Sequence, residues 1–183
     1  MDPLVTDEPL FFDREDPNFP LFKKIIKKQG STTCKDEFDN GYINSCLDKF
    51  TYGYILLGSM KNGKIITSSA DRYYLRGYIL FEYDQSLAMV SGKIVCAMKN
   101  SDPEKKIGML LLECVYQFIL EKKVETWRIF SLPYPGLVSY YKTFGFEEYD
   151  TIYVRGLPKV VEMKMKINYD SYVKNEDKSD DES

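Results

Sequence analysis

The stretch "YKTFGF", residues 141–146, ends one structural element and begins another. A helix end is predicted over residues 140–144, and Gly145 suits the left-handed backbone conformation that glycine adopts without steric cost. Apolar and charged residues alternate from Phe146 onward, as they do in a strand. The stretch therefore predicts a short helix that stops sharply and is followed at once by a strand.

The composition limits the chemistry that is available to the chain. Of its 183 residues, 44% are hydrophobic, which is enough for one well-filled core. The net charge of −3 and the pI of about 5.2 show no basic surplus, so we expect no nucleic-acid partner. Histidine is absent, which excludes a Ser-His-Asp triad, a Cys-His pair and a histidine-based zinc helix. Any general base must be a carboxylate, a tyrosine, a lysine, a cysteine or an ordered water.

The cysteines and the N-terminal residues indicate the compartment. Cys34, Cys46, Cys96 and Cys114 contain no C-x-x-C pair, so we expect inert, reduced thiols in a reducing compartment and no metal site. The opening "MDPLVTDEPLFFDRED" is acidic and lacks the basic region of a signal or transit peptide. No stretch is apolar enough to cross a membrane. We therefore expect a soluble, cytoplasmic protein without a membrane partner.

Three segments are predicted along the chain. Residues 1–18 form an acidic N-terminal segment with a short strand around Leu10, residues 19–168 form one domain, and residues 169–183 form a disordered acidic tail. The domain starts with a helix that includes Pro20 and closes at Gly30. A second helix has Asp39 or Asn40 as its cap and carries Ile43, Cys46, Leu47 and Phe50 on its apolar face.

The remaining elements are β-rich runs and two further helices. An antiparallel meander runs from Tyr52 to about residue 98, and Asn62-Gly63 is its strongest hairpin signal. A long helix follows with Ser101 and Glu104 as a capping box. The strand that follows this helix, "VETWRIFSL", should lie parallel to the strand that precedes the helix, because a long helix joins the two strands. The short helix that ends at Gly145 and two last strands complete the order.

This order, with an aromatic residue four places before Gly-Phe in "YKTFGF", resembles the GCN5-related N-acetyltransferase (GNAT) family over about residues 19–168. The resemblance implies an α+β (α/β) fold with a mixed, mostly antiparallel central sheet of about six or seven strands, flanked by about four helices. It also implies an acetyl-CoA-dependent N-acetyltransferase, with acetyl-CoA as co-substrate and no metal. The acceptor implied is a primary amine, which is a small amine, a polyamine or a protein amine.

The stretch "KKIGML" corresponds to the family's pyrophosphate-binding loop at the start of the long helix. Backbone N–H groups at a helix N-terminus point at one spot, and the helix dipole favours an anion there. The residues that the resemblance assigns to the coenzyme A pyrophosphate are Lys105, Lys106, Ile107, Gly108, Met109 and Leu110. The alternative is that Gly108 is an ordinary helix glycine.

The strand before this helix has a second role in the family. There it splays from the next strand, and its backbone hydrogen-bonds the pantetheine arm of acetyl-CoA. The residues that match are Val95, Cys96, Ala97 and Met98. Their apolar side chains fit a plain core strand equally well.

Tyr141 matches the family's general acid, which protonates the departing sulfur. A tyrosine with an ordinary pKa near 10 carries its proton at neutral pH. Tyr140, about 100° around the helix, is the expected core residue, although both tyrosines also fit a packing role alone. Glu82 is the first candidate for the general base, and it shares a strand face with Tyr78 and Leu80. Asp84 is the second candidate, although it also suits the opening of a turn.

Two functions remain open from the sequence. Tyr141 and the length of the resemblance favour an N-acetyltransferase, and the small acidic surplus favours a cationic acceptor. Leu110, where the family has a small residue, and the lack of an obvious base favour a non-catalytic binding or interaction module with the same fold.

Overall fold

The computed structural model describes residues 2–34, 38–49, 52–60, 69–98, 106–153 and 159–170. Its helices are α1 (Phe19–Thr33), α2 (Asn40–Lys49), α3 (Ile107–Lys122) and α4 (Pro135–Phe144). Its strands are β1 (Leu10–Asp13), β2 (Tyr52–Ser59), β3 (Tyr73–Asp84), β4 (Met89–Ala97), β5 (Thr126–Ser131), β6 (Glu147–Ile152) and β7 (Val160–Lys166). A 3₁₀ turn at Ser69–Arg72 leads into β3.

The described strands form one sheet of seven, in the order β1-β2-β3-β4-β5-β7-β6. Strands β4 and β5 are parallel, and every other neighbouring pair is antiparallel. The predicted α+β architecture, the meander of β2, β3 and β4, and the parallel strand after the long helix are all confirmed. The predicted Asn62-Gly63 hairpin lies outside the described residues.

The sheet carries a hydrophobic core on each face. Helices α1 and α2 cover one face, and α3 and α4 cover the other. Successive residues of β3 alternate between the cores, so Tyr78 and Leu80 belong to the first, while Ile79 and Phe81 belong to the second. Burial on both faces explains why β3 and β4 are apolar along most of their length.

The sequence predicts that Gly30 closes α1, and the structure shows that this prediction is wrong. The helix continues to Thr33, and Gly30 lies buried within it. A Cβ built on Gly30 would lie only 2.9 Å from the Tyr78 hydroxyl. Glycine is therefore required here for the close approach of α1 to β3. The cap of α2 is as predicted, since the Tyr42 N–H donates to Asp39 Oδ1 at 2.7 Å.

The prediction that all the cysteines are reduced is wrong for one pair. The structure joins Cys34 and Cys96 as a disulfide, with Cα atoms 5.2 Å apart, while Cys46 and Cys114 are free thiols. Cys34 follows α1 and Cys96 lies on β4, and both side chains are buried in the core beneath α1. Packing of α1 on the sheet brings together two residues that are 62 positions apart in the sequence.

Helix α3 begins later than the predicted capping box implies. Its N-cap is Lys106, with an extended backbone and no side-chain cap. Ser101 and Glu104 lie outside the described residues. None of the helices within the described ranges has the length and hydropathy needed to span a membrane.

The predicted stop of α4 is confirmed. Gly145 has φ = 118°, and its N–H donates to the Lys142 carbonyl at 3.1 Å. The Phe146 N–H donates to the Tyr141 carbonyl at 3.1 Å, and their rings lie 6.0 Å apart. These bonds form a Schellman motif with its usual hydrophobic contact across the helix end. The "YKTFGF" spacing therefore fixes both the backbone and the ring of Tyr141.

We expect Gly145→Ala to destabilise the fold by about 1–2 kcal/mol, because an L-residue with a side chain disfavours the left-handed conformation. The added methyl group would also lie 3.1 Å from Met165 Cε. Gly136→Ala is the matched control in the same helix, because no atom lies within 4 Å of its added Cβ. Denaturant unfolding of both variants measures the difference. Equal stability of the two would contradict the motif's role.

Candidate active site

The parallel strands β4 and β5 separate shortly after they meet. They pair only where Met89–Ser91 faces Thr126–Arg128. Beyond that point β4 remains paired with β3, and β5 remains paired with β7. In the described structure the facing edges of residues 92–97 and 129–131 therefore border a gap within the sheet.

A β-bulge in β4 lies where the gap begins. Leu80 of β3 is opposite Ile94, but Phe81 is opposite Gly92, so Lys93 is the extra residue. A bulge bends its strand and increases the local twist, which turns β4 away from β5. The Tyr42 hydroxyl of α2 donates to the Lys93 carbonyl at 3.0 Å. This bond satisfies a carbonyl that the β3–β4 ladder does not use.

A cavity of about 80 Å³ occupies the gap. The residues that line it are Phe38, Gly92, Lys93, Ile94, Val95, Ile129, Phe130, Ser131, Leu132, Leu137 and Tyr141. Most of this wall is apolar, as in a site that binds the body of a ligand and positions it with few polar groups. The ionisable side chains among these described lining residues are Lys93 and Tyr141.

Tyr141 reaches the cavity from α4. Its side chain is 7% exposed and its ring lies 5.6 Å from that of Tyr140. The expectation that Tyr140 is the core residue is wrong, because Tyr140 is only half-buried and Tyr141 is the more buried of the two. Burial and then the charge of Glu113 raise the pKa of Tyr140. The tyrosine that packs more deeply is thus also the one that faces the gap.

The structure does not bring Glu82 into the cavity wall. Glu82 shares its face of β3 with Tyr78 and Leu80, as predicted, but it is exposed near the strand end, opposite Ser91. Asp84 has the turn role, since it accepts hydrogen bonds from the Ser86 hydroxyl at 2.6 Å and from a backbone N–H. The Ser86 and backbone bonds lower the pKa of Asp84.

The backbone of β4 offers polar groups to the gap at alternate residues. The Met98 N–H donates to the Arg76 carbonyl of the neighbouring chain segment at 2.8 Å. Hydrogen-bonding direction alternates along a strand, so Cys96 also faces β3, while Val95 and Ala97 direct their N–H and C=O groups toward the gap. These four residues also differ in exposure. Cys96 is buried, Val95 and Ala97 are half-buried, and Met98 is exposed.

The N-terminus of α3 lies beside this edge of β4. The first bond of the helix runs from the Leu110 N–H to the Lys106 carbonyl at 3.1 Å, so the N–H groups of Ile107, Gly108 and Met109 precede the helical ladder. A Cβ built on Gly108 would have only the Ala97 Cβ nearby, at 3.9 Å. Packing within the protein therefore does not require glycine at this position. Lys105 lies outside the described residues.

Gly77 allows α3 to approach the sheet this closely. A Cβ built on Gly77 would lie 2.6 Å from Ile107 Cγ2 and 3.0 Å from the Cys96 carbonyl oxygen. The first turn of α3 rests on β3 at this point. The N-terminus of α3 is therefore held beside the end of β4 at Ala97, where a Cβ built on Gly108 would lie 3.9 Å from the Ala97 Cβ.

Solved structures share this arrangement. Tetrahymena GCN5 superposes with a TM-score of 0.63 at 12% identity, over 88% of this chain and 96% of that one. A putative acetyltransferase of the GNAT family from Desulfovibrio desulfuricans superposes with a TM-score of 0.57 at 8% identity, over 87% of this chain and 99% of that one. The chain has the GNAT fold. An aminoglycoside 6'-N-acetyltransferase complexed with coenzyme A superposes with a TM-score of 0.57 at 10% identity, over 87% and 97% of the two chains.

These identities are low enough that the similarity establishes the GNAT fold alone. The sequence matches no protein-family model, and it matches no curated protein sequence. Any function assigned to this chain therefore depends on the residues that it places around the gap in its GNAT-fold sheet.

Sequence reasoning missed Lys93 and Tyr42. A lysine inside the apolar run "GKIVCAM" is the signal that could have indicated Lys93, because a charged residue in a buried strand needs a local irregularity or a partner. The role of Tyr42 depends on how α2 packs against β4, and no local pattern in the sequence reports that packing.

We expect Tyr42→Phe to destabilise the fold by about 1 kcal/mol, because it removes the donor to the bulged carbonyl and keeps the ring. Tyr149→Phe is the control, since Tyr149 is 68% exposed. Chemical denaturation of both variants gives the comparison. If Tyr42→Phe were as stable as the control, the hydroxyl would have no part in holding the bulge.

Proposed function

We propose that the protein is an acetyl-CoA-dependent N-acetyltransferase that transfers an acetyl group to a primary amine. The observation that carries this proposal is the gap between β4 and β5, because Tyr141 lines its cavity and the N-terminus of α3 lies beside the β4 edge at Ala97. An extended thioester fits such a path, with its anionic end at the helix and its reactive end at the tyrosine.

The residues proposed to hold coenzyme A follow from this path. The outward backbone groups of Val95 and Ala97 would hydrogen-bond the amides of the pantetheine arm, in the manner of an added strand. The amides of residues 107–109 and the helix dipole would bind the pyrophosphate, with added charge from Lys105 and Lys106. Support comes from the GNAT-fold aminoglycoside acetyltransferase, which was solved with coenzyme A.

The chemistry requires two proton transfers. The neutral amine attacks the acetyl carbonyl carbon, the C–S bond breaks, and the coenzyme A sulfur takes a proton while the amine nitrogen loses one. Tyr141 is the proposed donor to the sulfur because it is the tyrosine in the cavity wall. Glu82 is the proposed acceptor of the amine proton. Because its carboxylate lies outside the cavity wall, the proton would pass to it through a water molecule.

A non-catalytic module is the second candidate function. Two observations favour it. Leu110 stands in the first turn of α3 where a small residue would leave more room for a pyrophosphate, and no carboxylate is among the described residues that line the cavity. Thermal unfolding with excess acetyl-CoA, together with an amine acetylation screen, separates the candidates. Ligand at a hundred times Kd stabilises a native state by roughly 2.7 kcal/mol.

We expect Gly108→Ala to weaken acetyl-CoA binding while the fold stays as stable as the wild type or gains up to about 1 kcal/mol from helix propensity. The methyl group has open space in the protein but would occupy the position from which the backbone approaches the pyrophosphate. Isothermal titration with acetyl-CoA and thermal unfolding measure the two effects. Undiminished affinity would place the pyrophosphate elsewhere.

We expect Tyr141→Phe to lower kcat by about 10²–10⁴-fold, the usual contribution of general acid catalysis, with little change in acetyl-CoA affinity. Tyr140→Phe, the neighbouring tyrosine, is the matched control and should keep near-normal turnover. The loss should shrink with acyl donors whose thiol leaves easily, because they need less protonation. Full activity of Tyr141→Phe, or a large loss in Tyr140→Phe only, would show that the acid is misassigned.

A further inference from the structure

The disulfide between Cys34 and Cys96 connects α1 to the strand that borders the gap. Cys96 lies on β4 between Val95 and Ala97, whose backbone N–H and C=O groups are directed toward the gap. Cys34 is the C-cap of α1, and four residues later Phe38 contributes to the cavity wall. The bond therefore joins the end of α1 to the stretch of β4 that is proposed to bind the pantetheine arm.

This stretch of β4 is held by a neighbouring strand on one side only. Cys96 is opposite Tyr78 of β3, and Ala97 is opposite Gly77. On the other side, the described part of β5 is paired with β4 only at Met89–Ser91. The disulfide thus adds a covalent restraint from the α1 face at the point where β4 has lost one of its two neighbours.

Both sulfur atoms lie in closely packed surroundings. Cys34 is 6% exposed and Cys96 is 2% exposed. Cys34 Sγ lies 3.6 Å from the Tyr78 hydroxyl, and Cys96 Sγ lies 3.6 Å from the Gly30 carbonyl oxygen. Two separate thiols take up more room than one disulfide, and a close-packed core transmits such a change to its neighbours. Reduction at this point would therefore displace the end of α1, the edge of β4, or both.

We propose that the Cys34–Cys96 disulfide is a redox switch that sets the affinity of the gap for acetyl-CoA, with the oxidised form binding more tightly. The inference rests on the proposed function and adds its regulation. An extended ligand that binds as an added strand binds best to an edge that is already ordered, because ordering the edge on binding costs free energy. The disulfide holds that edge of β4 in place, and reduction releases it.

The switching reaction is thiol–disulfide exchange. In the oxidising direction the two thiols form the S–S bond, and their two protons and two electrons pass to a low-molecular-mass disulfide, which becomes two thiols. An excess of low-molecular-mass thiol reverses the reaction. Cys34 is the cysteine at which exchange would begin, because it lies at a helix end, where local opening costs less free energy than within a central strand.

The test compares the acetyl-CoA affinity of the oxidised and the reduced wild-type protein by isothermal titration. The reductant is a phosphine, which does not exchange with the thioester as a thiol would. Alkylation of the unfolded protein followed by mass spectrometry should count two thiols in the oxidised form and four in the reduced form. We expect Kd to be at least about fivefold higher for the reduced form, the lower end of the usual range of coupling between sites.

Linkage gives a second, independent measurement. If the oxidised form binds acetyl-CoA more tightly, saturating acetyl-CoA must make the disulfide harder to reduce by the same factor. A fivefold difference in Kd corresponds to a midpoint potential lower by about 20 mV for this two-electron couple. A redox titration with and without acetyl-CoA measures this shift, which a disulfide that only stabilises the fold would not show.

Substitutions locate the effect. Cys34→Ala and Cys96→Ala remove the bond, so each should bind acetyl-CoA as weakly as the reduced wild type and should not respond to the reductant. Cys46→Ala is the matched control, because Cys46 is 2% exposed in the same core but is a free thiol. It should keep the redox response. Thermal unfolding checks each fold, and the comparison within the wild type decides if a variant does not fold.

The outcomes separate the switch from the proposed function. Equal affinity of the two wild-type forms, or tighter binding by the reduced form, overturns the switch and leaves the acetyltransferase proposal standing. Four alkylated thiols after treatment with oxidised glutathione would show that the bond does not form, with the same consequence. If neither form binds acetyl-CoA, the proposed function fails and the switch fails with it.

Discussion

One extra residue in β4 separates two strands that would otherwise continue to pair side by side. The bulge at Lys93 bends β4 away from β5, and the Tyr42 hydroxyl satisfies the carbonyl that the bulge removes from the ladder. The gap, its cavity and the exposed backbone groups of β4 all follow from this bend. The bulge also places Lys93 beside the ring of Phe130, with Nζ 5.0 Å from the ring centroid.

Glycine positions complete the site by allowing close approach. Gly77 lets α3 rest its first turn on β3, and Gly145 ends α4 so that the carbonyl and ring of Tyr141 are both held by Phe146. A side chain at either glycine would shift a helix by its contact with neighbouring atoms. Two glycines thus help to position the two helices that cover one face of the sheet.

Local sequence patterns predicted most of the helices and strands. The features that they did not predict depend on how distant segments pack together. The apolar periodicity of α3 and the stop at Gly145 are short-range signals, so both could be predicted from the sequence. Gly30 was misjudged because its role depends on the approach of Tyr78, and the pairing of Cys34 with Cys96 depends on how α1 docks. The local sequence does not distinguish Lys93 from an ordinary strand residue. The register shift that makes it a bulge residue depends on how β4 pairs with β3.

The short contact between β4 and β5 gives the sheet the character of two plates joined along a narrow seam. Strands β1 to β4 form one plate and β5, β7 and β6 the other, with only Met89–Ser91 and Thr126–Arg128 hydrogen-bonded across. An extended molecule lying in the gap would act as the missing strand between them. Its departure would free the plates to flex about the seam, so slow exchange of amide hydrogens along both inner edges would depend on whether the gap is filled.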